Sequence, residues 1–528
     1  MKSEIRVIPK KKKNKKSKGK DEPVLEPDTS PQINKSYEII DEYNIISRVV
    51  SIEIAWNKDT METLYIVHEP EISEAELKEI EIISKNMEQI VRSSNNLPNE
   101  FSVKDIEQII DSYMKSRRTK IPKASIDKYK YYIQRDYEGF GRLDPIIRDQ
   151  FVEDISCNGV GLPIFIEHKR HGPLRTNILF SSEKELDSYV IRLAQLCGKE
   201  VSMNDPIMDG TFPQGHRIQI TYGNEISTKG SSFTFRLFRE TPFTPVEIVK
   251  YGAATTEIVT YLWFAVENLK SGIIAGVPGV GKTSTLNAMM MFIPPNTKVF
   301  SIEETREINI MHENWVATST RESVYNQGNL SGHNAPIGMF ELVRMAMRQR
   351  PTYILLGEIR GRESYSLFQA ISTGHTAYST IHADSMDTLV NRLESNPLNI
   401  PRVLISSLNF VIFNKFVKIG NRMVRKITEI DEVMGVDSET REILYNKVYN
   451  FDFNVNTQVY SGYSKILKEI QQTKRMTDEE FKEEFDRRKK LIDLMVDANI
   501  IDFANLTRIV NVYYKDPEFA LRMAGGGK

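Results

Sequence analysis

The sequence predicts an α/β protein whose C-terminal half is a mostly parallel sheet covered by helices. Beyond residue 246, apolar runs with strand character alternate with helical runs, which is the order that builds parallel sheets. A glycine-rich loop joins one of these strands to a helix. The chain has 528 residues, more than one hydrophobic core normally holds. Two or three domains are therefore expected.

The pattern along the chain predicts five regions. The best boundary is 239–246, which contains two prolines. The predicted strands of the C-terminal sheet are 271–275, 298–302, 353–356 and 377–381. The predicted regions are a basic arm with a Pro-rich linker (1–36), an accessory N-terminal α/β domain (37–120, with helices at 74–91 and 103–114), a mixed α/β N-terminal domain (121–240, with a helix at 183–196), a P-loop core (241–435), and a C-terminal hairpin and helical subdomain (436–528, with helices at 478–497 and 503–513).

Composition restricts the class of protein. The chain is 40% hydrophobic and 27% charged, which is typical of a folded protein. Cys157 and Cys197 are the two cysteines, which excludes a disulfide framework and a four-cysteine zinc site and favours a reducing, intracellular compartment. No apolar stretch is long enough to predict a transmembrane helix. The basic N-terminus has no apolar segment behind it, so a secretory signal is not expected.

The first twenty residues carry ten Lys or Arg and one acid, Glu4, although the whole chain has a net charge of -1. Such an arm could contact an anionic membrane surface, and a solvated tail is an equally good interpretation. Nucleic-acid binding is disfavoured, because no aromatic residue interleaves the lysines.

The segment Gly276 to Thr283 has the sequence GVPGVGKT and lies between a predicted strand and a predicted helix. Small residues at this spacing let backbone N–H groups wrap phosphates at the positive end of a helix. Lys282 is expected to reach the β- and γ-phosphates of ATP, and the Thr283 hydroxyl to ligate Mg²⁺. The alternative is a glycine-rich turn that only precedes a helix. The predicted nucleotide-binding residues are Gly276, Val277, Pro278, Gly279, Val280, Gly281, Lys282, Thr283 and Ser284.

Three acids follow predicted strands of the same sheet. Glu358 comes two residues after the apolar strand 353–356 and is the predicted catalytic acid, since a carboxylate there can orient water or hold the Mg²⁺ shell. Glu303 and Glu304 follow another strand, and paired acids beside a phosphate site favour Mg²⁺ ligation. In each case a solvated strand end is the alternative. The predicted Mg²⁺ ligands are Thr283, Glu303, Glu304 and Glu358.

His375 and His382 lie seven residues apart around a short predicted strand. This spacing does not fit a helical metal pair, and no third ligand is indicated, so zinc is not expected. Each histidine could sense or position the γ-phosphate, with a buried core histidine as the alternative interpretation.

Taken together, these motifs resemble the secretion superfamily ATPases that drive type II secretion, type IV pili and archaeal surface filaments. The resemblance covers about 120–435, including 153–155 and 233–239 in the N-terminal domain. It departs from the family at Glu303–Glu304, where Glu-Asp is usual, and it lacks the four-cysteine motif of some bacterial relatives. The archaellum motor branch and archaeal pilus relatives are most similar, through 286–299, 312–316 and 320–322. The motif order is 276–283, 302–305, 350–360 and 373–383.

The resemblance implies a hexameric ring of RecA-like ATPase domains, each ATP being closed between two domains and a neighbouring subunit. It also implies a cytoplasmic protein, peripheral at the membrane, that assembles or rotates a filament through a polytopic membrane platform protein. Arg217, Arg236 and Arg239 are the candidates for an arginine that stabilises transition-state charge, although a strand arginine is often a surface residue. The alternatives are a conjugation-type or pilus-retraction ATPase, a nucleotide-gated scaffold without turnover, and a nucleic-acid translocase.

Overall fold

A computed structural model describes residues 37–46, 49–93, 123–239, 241–321, 337–420 and 422–526. The predicted basic arm, the Pro-rich linker, the predicted helix 103–114 and Glu322 lie outside these ranges. The chain divides into two compact units, Met1–Phe238 and Arg239–Lys528, and the division falls at the start of the segment 239–246. In the described residues each unit is built on a nine-stranded sheet.

The sheet of the N-terminal unit has the strand order β1-β2-β3-β6-β5-β4-β9-β8-β7. β3 and β6 pair in parallel, and this pairing joins the predicted accessory strands to the predicted N-terminal domain. The domain boundaries at 120 and 435 stay predictions. The strands are β1 (Tyr37–Ile46), β2 (Val50–Asn57), β3 (Glu62–His68), β4 (Val152–Cys157), β5 (Pro163–His168), β6 (Gly172–Leu179), β7 (Ile207–Thr211), β8 (Arg217–Thr221) and β9 (Ser232–Arg236), and the helices are α1 (Glu74–Ser93), α2 (Lys123–Tyr137), α3 (Asp144–Ile147) and α4 (Glu183–Leu196), with a 3-10 turn at Gly141–Leu143.

Alternating apolar and polar residues determine which face of this sheet packs against the core. Ile218 and Ile220 of β8 pack with Phe233 and Phe235 of β9 in the core, while the residues between them face outward. Helix α4 covers the same core and has the predicted bounds. It begins where the Ser182 side chain accepts a hydrogen bond from a backbone N–H of the first turn.

A buried polar network ties β1 and β3 to β5. The Nδ1 atom of His168 accepts hydrogen bonds from the backbone N–H groups two and three residues further on. Its Nε2 lies 3.1 Å from the hydroxyl of Tyr43. The hydroxyls of Tyr43 and Tyr65 both donate to Asp149, at 2.6 and 2.7 Å. Because Nδ1 is occupied as an acceptor, His168 is neutral in this network.

Acid is expected to weaken the N-terminal unit through His168. Burial lowers the pKa of His168 to about 4, below its ordinary value near 6.5. Between these two values the unfolded state binds more protons than the folded state, so stability falls as the pH falls. We expect the free energy of unfolding to drop by about 2 kcal/mol between pH 7.5 and pH 5. Urea unfolding with peptide-resolved hydrogen exchange, read on β5, measures this change.

The matched control is His168→Asn, which keeps an acceptor oxygen near the position of Nδ1 but does not titrate in this range. The variant should lose that part of the pH dependence. Equal slopes for the wild type and the variant would show that His168 does not carry the effect.

The sheet of the C-terminal unit has the order β12-β11-β13-β14-β10-β15-β16-β17-β18. From β12 to β15 all neighbours are parallel, as predicted, and from β15 onward the pairs are antiparallel. The unpredicted strand β12 is a half-buried edge strand without a continuous apolar run. The strands are β10 (Gly272–Gly276), β11 (Val299–Glu303), β12 (Trp315–Ser319), β13 (Tyr353–Leu356), β14 (Thr376–Ile381), β15 (Phe410–Ile419), β16 (Arg422–Val436), β17 (Ile443–Asp452) and β18 (Thr457–Tyr460).

Helices cover both faces of this sheet, and two separate hydrophobic cores form, one on each side. The two C-terminal helices predicted at 478–497 and 503–513 are present with those bounds. In the described ranges, no helix combines the length and apolarity needed to cross a membrane. The helices are α5 (Pro245–Lys250), α6 (Thr256–Glu267), α7 (Lys282–Met290), α8 (Met339–Arg348), α9 (Glu363–Ser372), α10 (Met386–Glu394), α11 (Arg402–Ile405), α12 (Lys465–Lys474), α13 (Asp478–Asp497), α14 (Phe503–Tyr513) and α15 (Pro517–Ala524).

A buried arginine fastens α13 to α6. Arg488 is 3% exposed and forms ion pairs with Glu267 of α6 and, at 2.9 Å, with Glu484 of its own helix. Its guanidinium also lies 4.1 Å from the ring centroid of Phe264 and 5.1 Å from that of Trp263. Two carboxylates and two aromatic faces therefore compensate for the desolvation of this charge.

Candidate nucleotide site

The glycine-rich loop connects the central strand β10 to α7, as predicted. Gly281 precedes α7 with φ 87°, in the left-handed region that favours glycine. At Gly276 a Cβ atom would lie 2.5 Å from the carbonyl oxygen of Asn414 on β15, so no side chain fits there. The loop thus leads into the first turn of α7, whose unpaired backbone N–H groups and positive dipole end suit an anion.

Lys282 is held against the loop in this structure. Its Nζ donates to the carbonyl oxygens of Gly276 and Val277, at 3.0 and 3.1 Å, and lies 3.2 Å from Nδ1 of His382. The side chain is buried, with 9% exposure. The ammonium group is therefore already at the phosphate loop and is satisfied by three acceptors.

His382 connects the lysine to the predicted catalytic acid. It directly follows β14, the neighbour of β10, and its Nε2 lies 2.9 Å from Oε1 of Glu358, beyond the end of β13. Burial and the adjacent Lys282 ammonium lower the pKa of His382, while Glu358 opposes the shift. The neutral ring therefore accepts from Lys282 at Nδ1 and places Nε2 in contact with Oε1 of Glu358, an oxygen that accepts no hydrogen bond from the described residues. This gives a continuous contact chain, Lys282–His382–Glu358.

Arg360 holds the other side of Glu358. Its Nη2 donates to Oε2 of Glu358 at 2.7 Å, and its Nη1 donates to Oε2 of Glu304 at 3.1 Å. The hydrogen bond to Glu358 raises the pKa of Arg360. Arg360 thus orients the carboxylate of Glu358 through Oε2, while Oε1 lies against His382. Sequence reasoning gave Arg360 no role, although it lies two residues after Glu358.

The adjacent acids Glu303 and Glu304 have different surroundings. Glu303 is 2% exposed, and its Oε1 accepts hydrogen bonds from the backbone N–H groups of Glu307 and Ile308, at 2.7 and 2.8 Å. Glu304 is exposed and paired with Arg360. In this structure, Glu303 organises the loop after β11, and Glu304 is the more accessible carboxylate of the predicted pair.

The two histidines lie at opposite ends of strand β14. His375 precedes β14 and His382 follows it, and seven residues of strand span about 23 Å. Since the phosphate loop lies at the carboxyl edge, the structure brings His382 to the loop of its own chain but not His375. The two histidines are separated because the extended strand β14 lies between them. A role for His375 at a nucleotide stays a prediction.

Two of the three candidate arginines, Arg236 and Arg239, pair with acids of their own units. Arg217 and Arg236 face each other across β8 and β9, and Nε of Arg236 lies 3.5 Å from Oδ1 of Asp154. Arg239 donates to Glu247 at 2.9 Å. That contact anchors Arg239 to the capping box of α5. Action of any of these arginines on a nucleotide stays a prediction.

Sequence reasoning missed two side chains that support the loop from the β15–β16 hairpin. The Nδ2 group of Asn414 donates to the carbonyl oxygen of Gly281 at 3.3 Å and to Oγ1 of Thr285 at 2.8 Å. Nε of Arg425 donates to the carbonyl oxygen of Gly279 at 2.7 Å. A buried amide inside the apolar run FVIFNKF was a usable signal for Asn414, whereas no local pattern marks Arg425.

A cavity of about 370 Å³ opens beside this constellation. It is lined by Val277, Pro278, His382, Ala383, Asp384 and Thr388. The phosphate loop, its lysine and an oriented carboxylate at the same sheet edge define the site of a P-loop ATPase.

The chain belongs to the type II/IV secretion system protein family, whose model matches residues 137–491. An uncharacterized protein of Methanocaldococcus jannaschii is 34% identical over 402 residues, which cover 75% of this chain and 72% of that protein. The type IV secretion system protein PtlH of Bordetella pertussis is 27% identical over 319 residues, covering 54% of this chain and 92% of PtlH. These matches agree with the family expected from the motifs.

Among solved structures, the VirB11 ATPase from the type IV secretion system of Brucella suis is 23% identical and covers 55% of this chain and 91% of its own. The TM-score is 0.28, too low for that likeness to bear on the site.

Proposed function

We propose that this secretion-family ATPase powers the assembly of a type IV pilus-like filament or an archaellum, with rotation as a further output in the archaellum case. The observation that carries the enzymatic part is the contact chain Lys282–His382–Glu358 at the phosphate loop. The archaeal assignment is supported by the matches at 34–38% identity, which are to proteins of Methanocaldococcus jannaschii.

Lys282 binds the nucleotide by exchanging acceptors. Its Nζ is already beside the loop, so a short side-chain movement replaces the carbonyl oxygens of Gly276 and Val277 with phosphate oxygens. Charge-assisted contacts of this kind are among the stronger hydrogen bonds in proteins. When Lys282 turns to the phosphates, Nδ1 of His382 loses its hydrogen-bond donor. Nucleotide binding would therefore change the position or protonation of the ring that contacts Glu358.

Glu358 orients the attacking water and accepts its proton. Its carboxylate lies at the same sheet edge as the loop, is held by Arg360 and lies against His382, which reduces the reorganisation needed during the reaction. Oε1 of Glu358 is buried and accepts no hydrogen bond from the described residues, so its lone pairs are available to water. His382, which is neutral, keeps the positive charge of Lys282 apart from Glu358.

The side chains present fit a Mg²⁺ ion. Thr283, Glu304 and Glu358 provide the hard oxygen donors that Mg²⁺ prefers, and Glu303 is engaged by backbone N–H groups. In the described ranges, no group of three or more His, Cys, Asp or Glu side chains forms an all-protein metal site. When bound with the nucleotide, Mg²⁺ would neutralise charge on the transferred phosphoryl group.

The remaining elements of the proposal concern assembly. The chain acts as a homohexamer in which Arg217, Arg236 or Arg239 contributes positive charge to a nucleotide. It works at the cytoplasmic face of the membrane on a polytopic platform protein, and the basic arm contacts anionic lipid. Steady-state ATPase activity against protein concentration, with native mass at each point, tests the ring. Specific activity that rises as a hexamer forms supports shared sites, whereas an equally active monomer contradicts them.

The cellular role is tested by deleting the gene and complementing it with the wild type or with Glu358→Gln. We expect surface filaments, counted by electron microscopy, to disappear on deletion and to return only with the wild type. Filaments restored by Glu358→Gln would favour a scaffold without turnover.

Secretion is the second candidate, because the match to PtlH covers 92% of that type IV secretion protein. Unchanged filaments together with lost export of protein or DNA would favour this function over filament assembly. An increase in filaments on deletion would favour a retraction motor.

A further inference from the structure

We propose that Phe416, on the β15–β16 hairpin, is the stacking platform for the nucleobase of the bound nucleotide. This inference rests on the nucleotide site proposed above and adds the group that recognises the base. The register of β15 against β10 places the ring of Phe416 near the phosphate loop. β15 pairs in parallel with β10 up to Gly276, which is opposite Asn414. β15 then continues to Ile419, so its last residues run alongside the phosphate loop.

Phe416 lies on the side of the sheet that carries α7. It is two residues beyond Asn414, and alternate residues of a strand share a face. Asn414 contacts Thr285 of α7, which identifies that face. A Cβ atom built on Gly279 would lie 3.8 Å from the ring of Phe416, so the ring is beside the loop itself.

The ring is accessible and its position is fixed. Phe416 is 40% exposed, and Met423 nearby on β16 is 62% exposed. Arg425 is the direct cross-strand partner of Phe416, and its guanidinium lies 5.8 Å from the ring centroid. The same arginine donates to the carbonyl oxygen of Gly279. Arg425 therefore sets the spacing between the aromatic ring and the phosphate loop.

The direction of the nucleotide follows from the strand order. His382 and Glu358 belong to β14 and β13, on one side of β10, and they mark the γ-phosphate end. The nucleoside must extend toward the opposite side, where β15 is the neighbour of β10. The distance from β14 to β15 is two strand spacings, roughly 10 Å. A nucleotide that extends across the loop from His382 thus reaches the hairpin that carries Phe416.

An exposed aromatic face at this place suits a base. Every nucleobase has a π face, and removal of a stacking aromatic costs about 5- to 150-fold in affinity. In the described residues, the lining of the cavity near His382 offers no aromatic ring for this purpose. Phe416 supplies the aromatic group that the phosphate loop and its cavity lack.

The test compares ADP with inorganic triphosphate, which occupies the phosphate loop but has no base. Isothermal titration calorimetry on the full-length protein with Mg²⁺ gives both affinities. For Phe416→Ala we expect ADP affinity to fall at least about fivefold, with the affinity for inorganic triphosphate unchanged. Phe416→Tyr should retain ADP affinity because it keeps the ring.

The matched control is Phe453→Ala, which removes an exposed aromatic ring from the β17–β18 turn, where Phe453 is 74% exposed. It should change neither affinity. Unchanged ADP affinity in Phe416→Ala, or an equal loss for both ligands, would overturn the inference. A wild type that binds inorganic triphosphate but not ADP would also overturn it. A wild type that binds neither would overturn the nucleotide site itself and the inference with it.

Discussion

Glu358→Gln is expected to reduce ATP turnover by about 10²- to 10⁴-fold while leaving ATP binding nearly unchanged. Glutamine has almost the shape of glutamate, but its amide cannot accept a proton from the attacking water. The substitution also removes the negative charge that pairs with Arg360. Binding is retained because the phosphate loop and Lys282 are not altered.

Steady-state phosphate release and equilibrium binding of a fluorescent ATP analogue measure the two effects separately. Glu439→Gln is the matched control, since Glu439 is an exposed residue after β16, and it should behave as the wild type. Lys282→Ala is the opposite case and should lose nucleotide binding. Equal turnover by the wild type and Glu358→Gln would remove Glu358 from the mechanism.

Arg488→Met is expected to destabilise the C-terminal unit by about 3–5 kcal/mol, because it takes the buried guanidinium away from the partly buried carboxylate of Glu267. Arg488 neutralises Glu267, which is 16% exposed, and it also lies against Trp263 and Phe264. Methionine fills part of the volume and supplies no charge. Glu267 keeps its contact with Lys474 at 2.8 Å, which is not sufficient to replace the buried pair.

Urea unfolding of the full chain measures this loss, and near-ultraviolet circular dichroism, to which Trp263 contributes, reports the packing of the aromatic side chains. Arg487→Met is the matched control on the preceding residue. The side chain of Arg487 is 36% exposed and pairs with Glu484, so its removal should cost less than about 1 kcal/mol. Similar losses for the two variants would show that burial of Arg488 adds nothing.

Local patterns were sufficient for much of the C-terminal unit. The loop at Gly276 to Thr283, the strand before Glu358 and the helices 478–497 and 503–513 depend on residues close together in the chain, and their expected positions agree with the structure. The pairing of β3 with β6 joins segments more than 100 residues apart. No periodicity in either strand encodes that partner, so the shared N-terminal sheet could not be predicted from the sequence.

In the candidate site too, local sequence predicted some residues, and contacts between distant segments placed the others. His382 was assigned to the phosphate site together with His375, although the strand between them already implied opposite edges. Asn414 and Arg425 reach the loop only through the pairing of β10 with β15 and of β15 with β16. The different surroundings of Glu303 and Glu304 depend on where the following loop places its backbone N–H groups. Contacts of this kind are set by tertiary structure and leave no local signal.

The helix after the phosphate loop is fastened at its far end as well. Trp263 donates to the hydroxyl of Tyr514 at 2.8 Å, and that hydroxyl donates to the carbonyl oxygen of Phe292, two residues beyond α7. Helix α7 has nine residues, about 13 Å of rise. Helix α7 therefore has the phosphate loop at its N-terminal end and a hydrogen-bonded contact with the residue after α14 beyond its C-terminal end. We expect a ligand that displaces α7 to disturb this contact as well.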